Sequence, residues 1–383
     1  MTCAGPSWRL LSLKEKDMRI WNRDAVPAWR DVWASPAGTP LAGYSRLNYK
    51  IIWQMNLGET LFEGVAVRRP GDSVIRVRIN DIIAAWLRPS LRAMEGDSGF
   101  FRDPDLTGGP GATAYFAIVW SDPAGEVTSE WQYLSVFADW TYDRAADYSA
   151  PTDYLRYCPI DGVVDVRQRL FLTAYTGSWL VWVDAQGAGH GVVDKPSGEG
   201  ESVPGTFWTK ASEIDAAGRG IPLYPELTGG ELSEAARGPY PIVVQETCAR
   251  YAIYYAGALG GIESFVPRGK AVEEDAITRG DYLRRTDDDA LAGGVLQRGR
   301  TVLGTTIRKH LTLHTHWLTD EQAARMASLT ESPAVWVHDL ETDVIYPAVL
   351  TGNSHQYKSY RGQGGKLVSY ALELDLANDT IRG

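Results

Sequence analysis

Apolar and polar positions alternate with a period of two through much of the chain between residues 46 and 137. The segments LNYKIIWQM, TLFEGVAVRR and SVIRVRIN follow this pattern, and a turn rich in Asp, Pro and Gly joins AYFAIVW to VTSEWQYLSVF. Such alternation is typical of β-strands, and short strands separated by turns are typical of β-sandwiches. The sequence therefore predicts a β-sandwich domain over residues 46–150. Within it, NDIIAAWLRP predicts a short helix that Asn80 or Asp81 caps and Pro89 ends.

Two less regular regions flank this domain. Residues 1–45 scatter four Trp among Pro and Gly without a clear period, which predicts an extended N-terminal arm. The arm either straps a neighbouring subunit or lies on its own domain as a lead-in. Residues 151–294 contain strand patterns such as RLFLTAYTGSWLVWV and ARYAIYYAG, separated by segments rich in Gly and Pro. They predict a β-rich middle domain with long loops.

The last part of the chain, residues 295–383, has the clearest pattern. A strand, TVLGTTIRKHLTLHTHW, leads into LTDEQAARMASLTES, where Thr319 and Gln322 have the spacing of a helix capping box. Ala323, Met326 and Leu329 then form an apolar stripe on one side of the helix. The segments AVWVHDL, VIYPAVLTG and KLVSYALELDLA follow as strands. The predicted order is β-α-β-β-β, a small sheet with one helix.

Composition and charge narrow the class of protein. Of 383 residues, 44% are hydrophobic and 22% are charged, which is typical of a core-forming globular protein of two or three domains. The net charge of -10 argues against a surface that grips nucleic acid, because phosphate binding needs clustered Lys and Arg. Three cysteines are too few for a disulfide framework or a zinc ribbon. The fold class we expect is mainly β.

The sequence also bears on location and on partners. The N-terminal segment carries the charged run KEKD where a signal peptide needs an apolar core, so we expect no signal peptide. No run of eighteen apolar residues occurs, so we expect no membrane span and a soluble protein. The 14 Trp and 19 Tyr residues are of types that favour strands, protein interfaces and sugar-binding platforms.

The segment HLTLHTHW holds three of the six histidines, His310, His314 and His316. In a strand these histidines share a polar face, while the leucines between them share the other. His310 would lie roughly 13 Å from His314 along the strand, too far to share one ion. A metal site is therefore limited to His314 and His316, which would need a further ligand such as His338 or Asp339. We favour the polar-face interpretation and expect neither a metal nor a cofactor.

The sequence contains none of the common active-site motifs that we considered. No nucleophile elbow, HExxH motif or Cys-His signature occurs, so we expect the protein not to be an enzyme. A glycosidase that uses two carboxylates stays open as a lesser alternative, because acidic residues are plentiful but nothing selects a pair. The aromatic content leaves a carbohydrate-binding β-sandwich protein as the second hypothesis.

Several longer phrases resemble structural proteins of phages and prophages of gut bacteria. These phrases are FEGVAVRRPGDSVIRVRINDIIAAWL, VFADWTYD, CPIDGVVDVRQ, ARYAIYYAGALGGIESFVPRGKAVEEDAITR and WLTDEQAARMASLTESPAVWVHDLETDVIYPAVLT, with YRGQGGKLVSYALELDLA near the end. The C-terminal order of strands and one helix is also similar to the tail-tube domain shared by tube, distal-tail and baseplate proteins of tailed phages. The β-sandwich would then be an appended domain. A simple tube protein does not need the middle region.

The resemblance implies a virion structural protein, a tail or baseplate component that oligomerises through β-sheet edges and aromatic contacts. Its expected partners are further copies of itself in a ring and other tail or baseplate proteins. DNA would pass through the lumen of the ring without specific binding, which the acidic balance suits. The expected location is the virion, assembled in the host cytoplasm.

Overall fold

The structure is a computed structural model, and the chain divides into two compact units. The first unit is Met1–Gln245 with Ala256–Glu263, and the second is Glu246–Tyr255 with Ser264–Gly383. The residues that the structure describes are 26–27, 33–36, 41, 43–53, 59–84, 87, 91, 94, 96–102, 113–128, 132–137, 155–174, 178–195, 205–215, 217, 219–229, 235–258, 260–284, 291–292, 295–296, 299–352, 367–377 and 380–382.

Twenty-seven strands and two α-helices lie within these residues, together with a single 3-10 turn at Ala211–Glu213. Up to residue 137 the elements are β1 Val26–Pro27, β2 Trp33–Ala34, β3 Arg46–Trp53, β4 Glu59–Val67, β5 Val77–Arg78, α1 Asn80–Ala84, β6 Ser98–Arg102, β7 Thr113–Ser121 and β8 Gln132–Phe137. From residue 155 to residue 245 they are β9 Leu155–Arg156, β10 Val163–Asp165, β11 Arg169–Ala174, β12 Trp179–Val183, β13 Gly189–Asp194, β14 Gly205–Lys210, β15 Pro222–Thr228, β16 Ala236–Arg237 and β17 Ile242–Gln245. The remaining elements are β18 Tyr251–Ala256, β19 Ile262–Phe265, β20 Ala271–Arg284, β21 Leu291–Ala292, β22 Val295–Leu296, β23 Gly299–His314, α2 Asp320–Thr330, β24 Val335–Asp339, β25 Val344–Leu350, β26 Ala371–Leu376 and β27 Thr380–Arg382.

The first sheet has five strands in the order β1-β8-β7-β3-β4. Its strands alternate as the sequence predicted, since Leu47 and Ile51 are buried while Lys50 between them is exposed. They share one core with Ile79 and Ile83, so α1 covers this face together with the small β2–β5 pair. Among the described residues, the layer on this face is thus a short helix and two short strands, of which β2 precedes residue 46. The predicted helix is confirmed at α1.

Two facing sheets do form a sandwich further along the chain. One has the order β10-β17-β15-β12-β13, with β16 paired to β15, and the other has the order β6-β14-β11-β9. Leu172 and Phe207 of the sheet that contains β11 share a core with Trp182, Leu223 and Leu227 of the sheet that contains β12. β6 lies before residue 150 in the chain but belongs to this sandwich. The boundary predicted at residue 150 therefore does not separate the sheets.

The second unit is built on an eight-stranded sheet with the order β19-β18-β24-β25-β26-β23-β20, in which β27 also pairs with β23. Helix α2 begins at the predicted capping box, because the Thr319 side chain accepts from the Gln322 amide and the Gln322 side chain accepts from the Thr319 amide. Its predicted stripe is buried at Ala323, Met326 and Leu329. The β-α-β-β-β order is confirmed, but strands from residue 251 onward join the same sheet. The predicted boundary at residue 295 therefore falls inside the sheet.

Strands thus dominate both units, which confirms the mainly β fold class. Parts of the predicted N-terminal arm pair within the chain, β1 with β8 and β2 with β5, as a lead-in on its own domain would. The remainder of that arm, and the segment predicted to connect the first two domains, lie outside the described residues. In the described part of the chain, no helix is long and apolar enough to cross a bilayer.

Candidate assembly surface

The most unusual feature of the second unit is a long two-stranded ribbon formed by β20 and β23. The two strands pair antiparallel from Ala271 opposite Leu313 to Arg284 opposite Gly299. They contain 14 and 16 residues, whereas strands of about five or six residues are usual. We call this pair the β20–β23 ribbon.

The inner side of the ribbon is paired, and the outer side is open. β26 pairs with β23 over His310–His314, and β27 pairs with it over Thr305–Ile307. β20 is the last strand of the sheet, and among the described strands nothing pairs with its outer edge. In an antiparallel ladder, alternate residues point their N–H and C=O groups toward the neighbour. The remaining N–H and C=O groups of β20 therefore face outward along its whole length.

Side chains on both faces of β20 are exposed. All of the residues from Ala271 to Tyr282 are exposed, including the apolar Val272, Ile277 and Tyr282. On β23, by contrast, Leu311 and Leu313 at the base of the ribbon are almost completely buried. The ribbon therefore extends from a core at its base into a region where neither face is covered by described residues.

A β-bulge at Leu303 changes which side chains the outer half of the ribbon displays. Gly280 lies opposite Gly304, but Asp281 lies opposite Val302, so Leu303 is the extra residue. Leu303 is 73% exposed. Because opposite residues share a face, Val302 lies on the face that carries Ile277 and its partner Ile307. The bulge thus places Val302 on the same face as Leu311, and on this face Asp275 and Lys309 separate Ile277 and Ile307 from the buried base.

A cluster of charges holds the base of β20. The Arg250 guanidinium lies 2.5 Å from a Glu273 carboxylate oxygen, 3.6 Å from Asp339 and 3.5 Å from Glu341. Arg250 also lies over the ring of Tyr251, 5.1 Å from its centre. Burial raises the pKa of Tyr251, and its hydrogen bond to Glu273 raises it further. Glu273 therefore shares a single guanidinium with Asp339 and Glu341.

The structure places the three histidines of HLTLHTHW in different surroundings. Leu311 and Leu313 are buried while His310 and His314 are partly exposed, so β23 has the predicted apolar and polar faces. His310 Nδ1 lies 2.7 Å from an Asp375 carboxylate oxygen. The strand ends at His314, before the end of the predicted strand at Trp317. Continued alternation would place Trp317 on the leucine face, but its side chain is 65% exposed.

His316, one of the two metal candidates, contacts other side chains. The His316 ring lies 2.6 Å from an Arg268 guanidinium nitrogen and 5.9 Å, centre to centre, from the Phe265 ring. His338, named as a further ligand, lies on β24, three strands from His314, a separation of about 14 Å. Asp339 pairs with Arg250 instead. The described residues hold no group of three or more metal-ligating side chains, and a shared ion at His314 and His316 stays a prediction.

A buried hydrogen-bonded chain went unrecognised in the sequence. The Tyr254 hydroxyl lies 3.0 Å from His338 Nδ1, and His338 Nε2 lies 2.9 Å from an Asp343 carboxylate oxygen. His338 is completely buried, and Asp343 adopts a positive φ of 54° in the turn between β24 and β25. Tyr254 is equally buried, whereas the Asp343 side chain is 57% exposed. The hydrogen-bonded chain joins β18 to β24 and positions the turn. The adjacent HDLETD segment was the only signal in the sequence.

No family model, curated protein or solved structure matches the chain. Any functional conclusion therefore rests on the geometry described above.

Proposed function

We propose that this protein is a virion structural protein, a tail or baseplate component of a tailed phage, and that it oligomerises through sheet edges. The observation that carries the proposal is the open outer edge of β20. Among the described residues, no further strand pairs with the outer side of these 14 residues. A row of unpaired N–H and C=O groups of this length is a template for another strand.

The sequence of β20 supports a role for this edge. Proteins that remain monomeric usually protect an edge with charged side chains, lysine above all, or with proline, a bulge or a very short strand. β20 contains charged residues of both signs but no proline and no lysine, and the bulge of the ribbon lies on β23. The exposed Val272, Ile277 and Tyr282 add apolar surface of the kind that marks interaction sites. The edge suits pairing with another chain.

The assignment to a phage tail rests on the resemblance of the sequence phrases and on the C-terminal order of elements. A component of a tail or baseplate acts by assembling, and an accessible sheet edge supplies the contact for this. The acidic net charge suits a ring through which DNA passes.

Size-exclusion chromatography with light scattering, combined with negative-stain imaging, tests this proposal on the full chain. We expect a defined oligomer with ring-like or tail-associated particles. A strictly monomeric protein at all accessible concentrations would contradict the proposal.

Carbohydrate binding is the second candidate, favoured by one specific observation. Trp179 on β12 of the sandwich is 44% exposed, and Trp317 is exposed in the second unit. Exposed tryptophans are typical platforms for sugar rings. A glycan array tests this function with Trp179→Ala and Trp317→Ala. Binding that is lost in one variant would favour it, and absence of binding by the unaltered protein would remove it.

A further inference from the structure

We propose that the outer edge of β20 pairs with β20 of a second copy of this chain, antiparallel and around a two-fold axis at Ile277. This inference rests on the proposed function, because it names the partner that the open edge takes. A two-fold contact closes on itself and joins copies in pairs, so a ring uses a second interface besides this one. In such a pair, residues equally distant from Ile277 on either side lie opposite each other, and opposite residues share a face.

The charges next to Ile277 complement themselves in this register. Asp275 and Arg279 lie two residues before and two residues after Ile277, on the same face of the strand. Within the chain Asp275 lies opposite Lys309 and Arg279 lies opposite Thr305, and neither side chain makes an ion pair with another residue that the structure describes. In the two-fold pair, Asp275 of each copy lies opposite Arg279 of the other. Two cross-strand ion pairs thus form between the two copies.

The exposed apolar side chains of β20 meet in the same register. Ile277 lies opposite its own symmetry equivalent. Val272 lies opposite Tyr282 on the other face, and the symmetry makes this contact twice. Among the side chains of β20 that the structure describes, these are the three large apolar ones that are exposed, and pairs of aromatic and β-branched residues stabilise adjacent strands.

One like-charged pair occurs in this arrangement, because Glu273 lies opposite Asp281 of the second copy. The Arg250 guanidinium lies 2.5 Å from the Glu273 carboxylate and reduces this repulsion, although Asp339 and Glu341 share the same guanidinium.

Neighbouring two-fold axes fit less well. An axis at Thr278 places Asp275 opposite Asp281, and an axis at Asp275 or Arg279 places a charged residue opposite itself. An axis at Ala276 places the Asp275 carboxylate against the Ile277 side chain and requires Arg279 to compete with Arg250 for Glu273. The axis at Ile277 alone joins the unpaired charges and the apolar residues together.

Charge exchange on the full chain tests the pairing. We expect Asp275→Arg to raise the dissociation constant for self-association roughly tenfold to thirtyfold, because two attractive pairs become repulsive. Arg279→Asp should do the same. The double variant with both substitutions should restore association to within about threefold of the unaltered protein, because the pairs re-form with their signs exchanged. Sedimentation velocity measures all four proteins, and circular dichroism verifies that each is folded.

Glu274→Arg is the matched control for Asp275→Arg. It makes the same change of charge one residue away, but Glu274 lies opposite Gly280 in the proposed register. We expect its dissociation constant to stay within about threefold of the unaltered protein. An equal loss in both variants would overturn the register, because the net charge of the strand would then be the cause.

Cysteine crosslinking fixes the axis in a background where Cys3, Cys158 and Cys248 are serine. Ile277→Cys should form a covalent dimer under mild oxidation, because opposite residues bring their Cβ atoms within about 5.5 Å. Ala276→Cys should not, and the reverse result would overturn the axis at Ile277.

The failure of this inference differs from failure of the proposed function. An oligomer that none of the charge variants affects would overturn the β20 pairing and leave assembly intact. A protein that stays monomeric would overturn both.

Discussion

At the scale of single residues, polar side chains that fix backbone turns carry much of the local structure. The Asp184 carboxylate accepts hydrogen bonds of 2.9 Å from the amides of Gln186 and Ala188, and lies 3.1 Å from His190 Nε2. These bonds close the turn between β12 and β13. The bond from His190, followed by that from Ala188, lowers the pKa of Asp184 below its ordinary value.

The lowered pKa of Asp184 predicts a pH-dependent contribution to stability. Because the carboxylate has a lower pKa in the folded state than in the unfolded state, its contribution is present above the ordinary value of 3.8 and is lost as the pH falls through the folded-state pKa. We expect Asp184→Asn to lower the free energy of unfolding at pH 7 and to have a smaller effect near pH 3. Urea denaturation at both pH values measures this. An equal effect at the two values would contradict it.

The sequence pattern predicted which face of a strand a residue occupies. It did not predict hydrogen-bond partners that come from distant segments of the chain. The polar face of β23 followed from alternation alone, and His310 lies on it. The partners Asp375 of His310 and Arg268 of His316 could not be inferred, because each lies far away in the sequence. The same reason hid the contact of His338 with Tyr254, whereas its contact with Asp343 lies within HDLETD and went unrecognised.

At the scale of elements, α2 shows how far local chemistry specifies a helix. Its beginning followed from Thr319 and Gln322, and its buried side followed from a stripe with helical spacing. It ends at Thr330, three residues before Pro333. Strand lengths were harder, since the alternation runs on to Trp317 while the pairing with β26 stops at His314.

The capping box makes a second prediction. Thr319→Ala should lower the free energy of unfolding of the second unit by about 1 kcal/mol, because the Gln322 amide loses its acceptor. Thr330→Ala is the control in the same helix, since the Thr330 hydroxyl bonds to carbonyls of the preceding turn and caps no free amide. Its effect should be within about 0.5 kcal/mol. Thermal or urea unfolding compares the two, and equal effects would contradict the capping role.

At the scale of the whole molecule, the sequence predicted a mainly β protein but not the division of its strands among sheets. β6 joins the sandwich from before the expected boundary, and β18 to β20 join the last sheet from before residue 295. Long-range pairing depends on which edges meet, and the alternation within a strand does not record this. The exposure of β20 on both faces was hidden for the same reason.

Assembly through β20 predicts a pattern of amide exchange. In dilute protein, every second amide of β20 is bonded to β23 and the others face outward. On assembly at high concentration, the outward amides should exchange more slowly. β13, which is the edge of a different sheet, serves as the internal control and should not change. Residue-resolved hydrogen exchange measures both strands, and unchanged exchange in β20 would argue against the edge as a contact.

The bulge at Leu303 has a consequence for how the ribbon tolerates changes of length. Between the bulge and His314 the even-numbered residues of β23 lie on the histidine face, whereas Val302, on the other side of the bulge, lies on the leucine face. Deleting Leu303 would restore a regular ladder while keeping the same residues opposite one another across the two strands. The twist of the ribbon would change, but β20 would keep its own alternation. A single-residue deletion in β23 can therefore reshape the ribbon without altering the sequence that its outer edge presents.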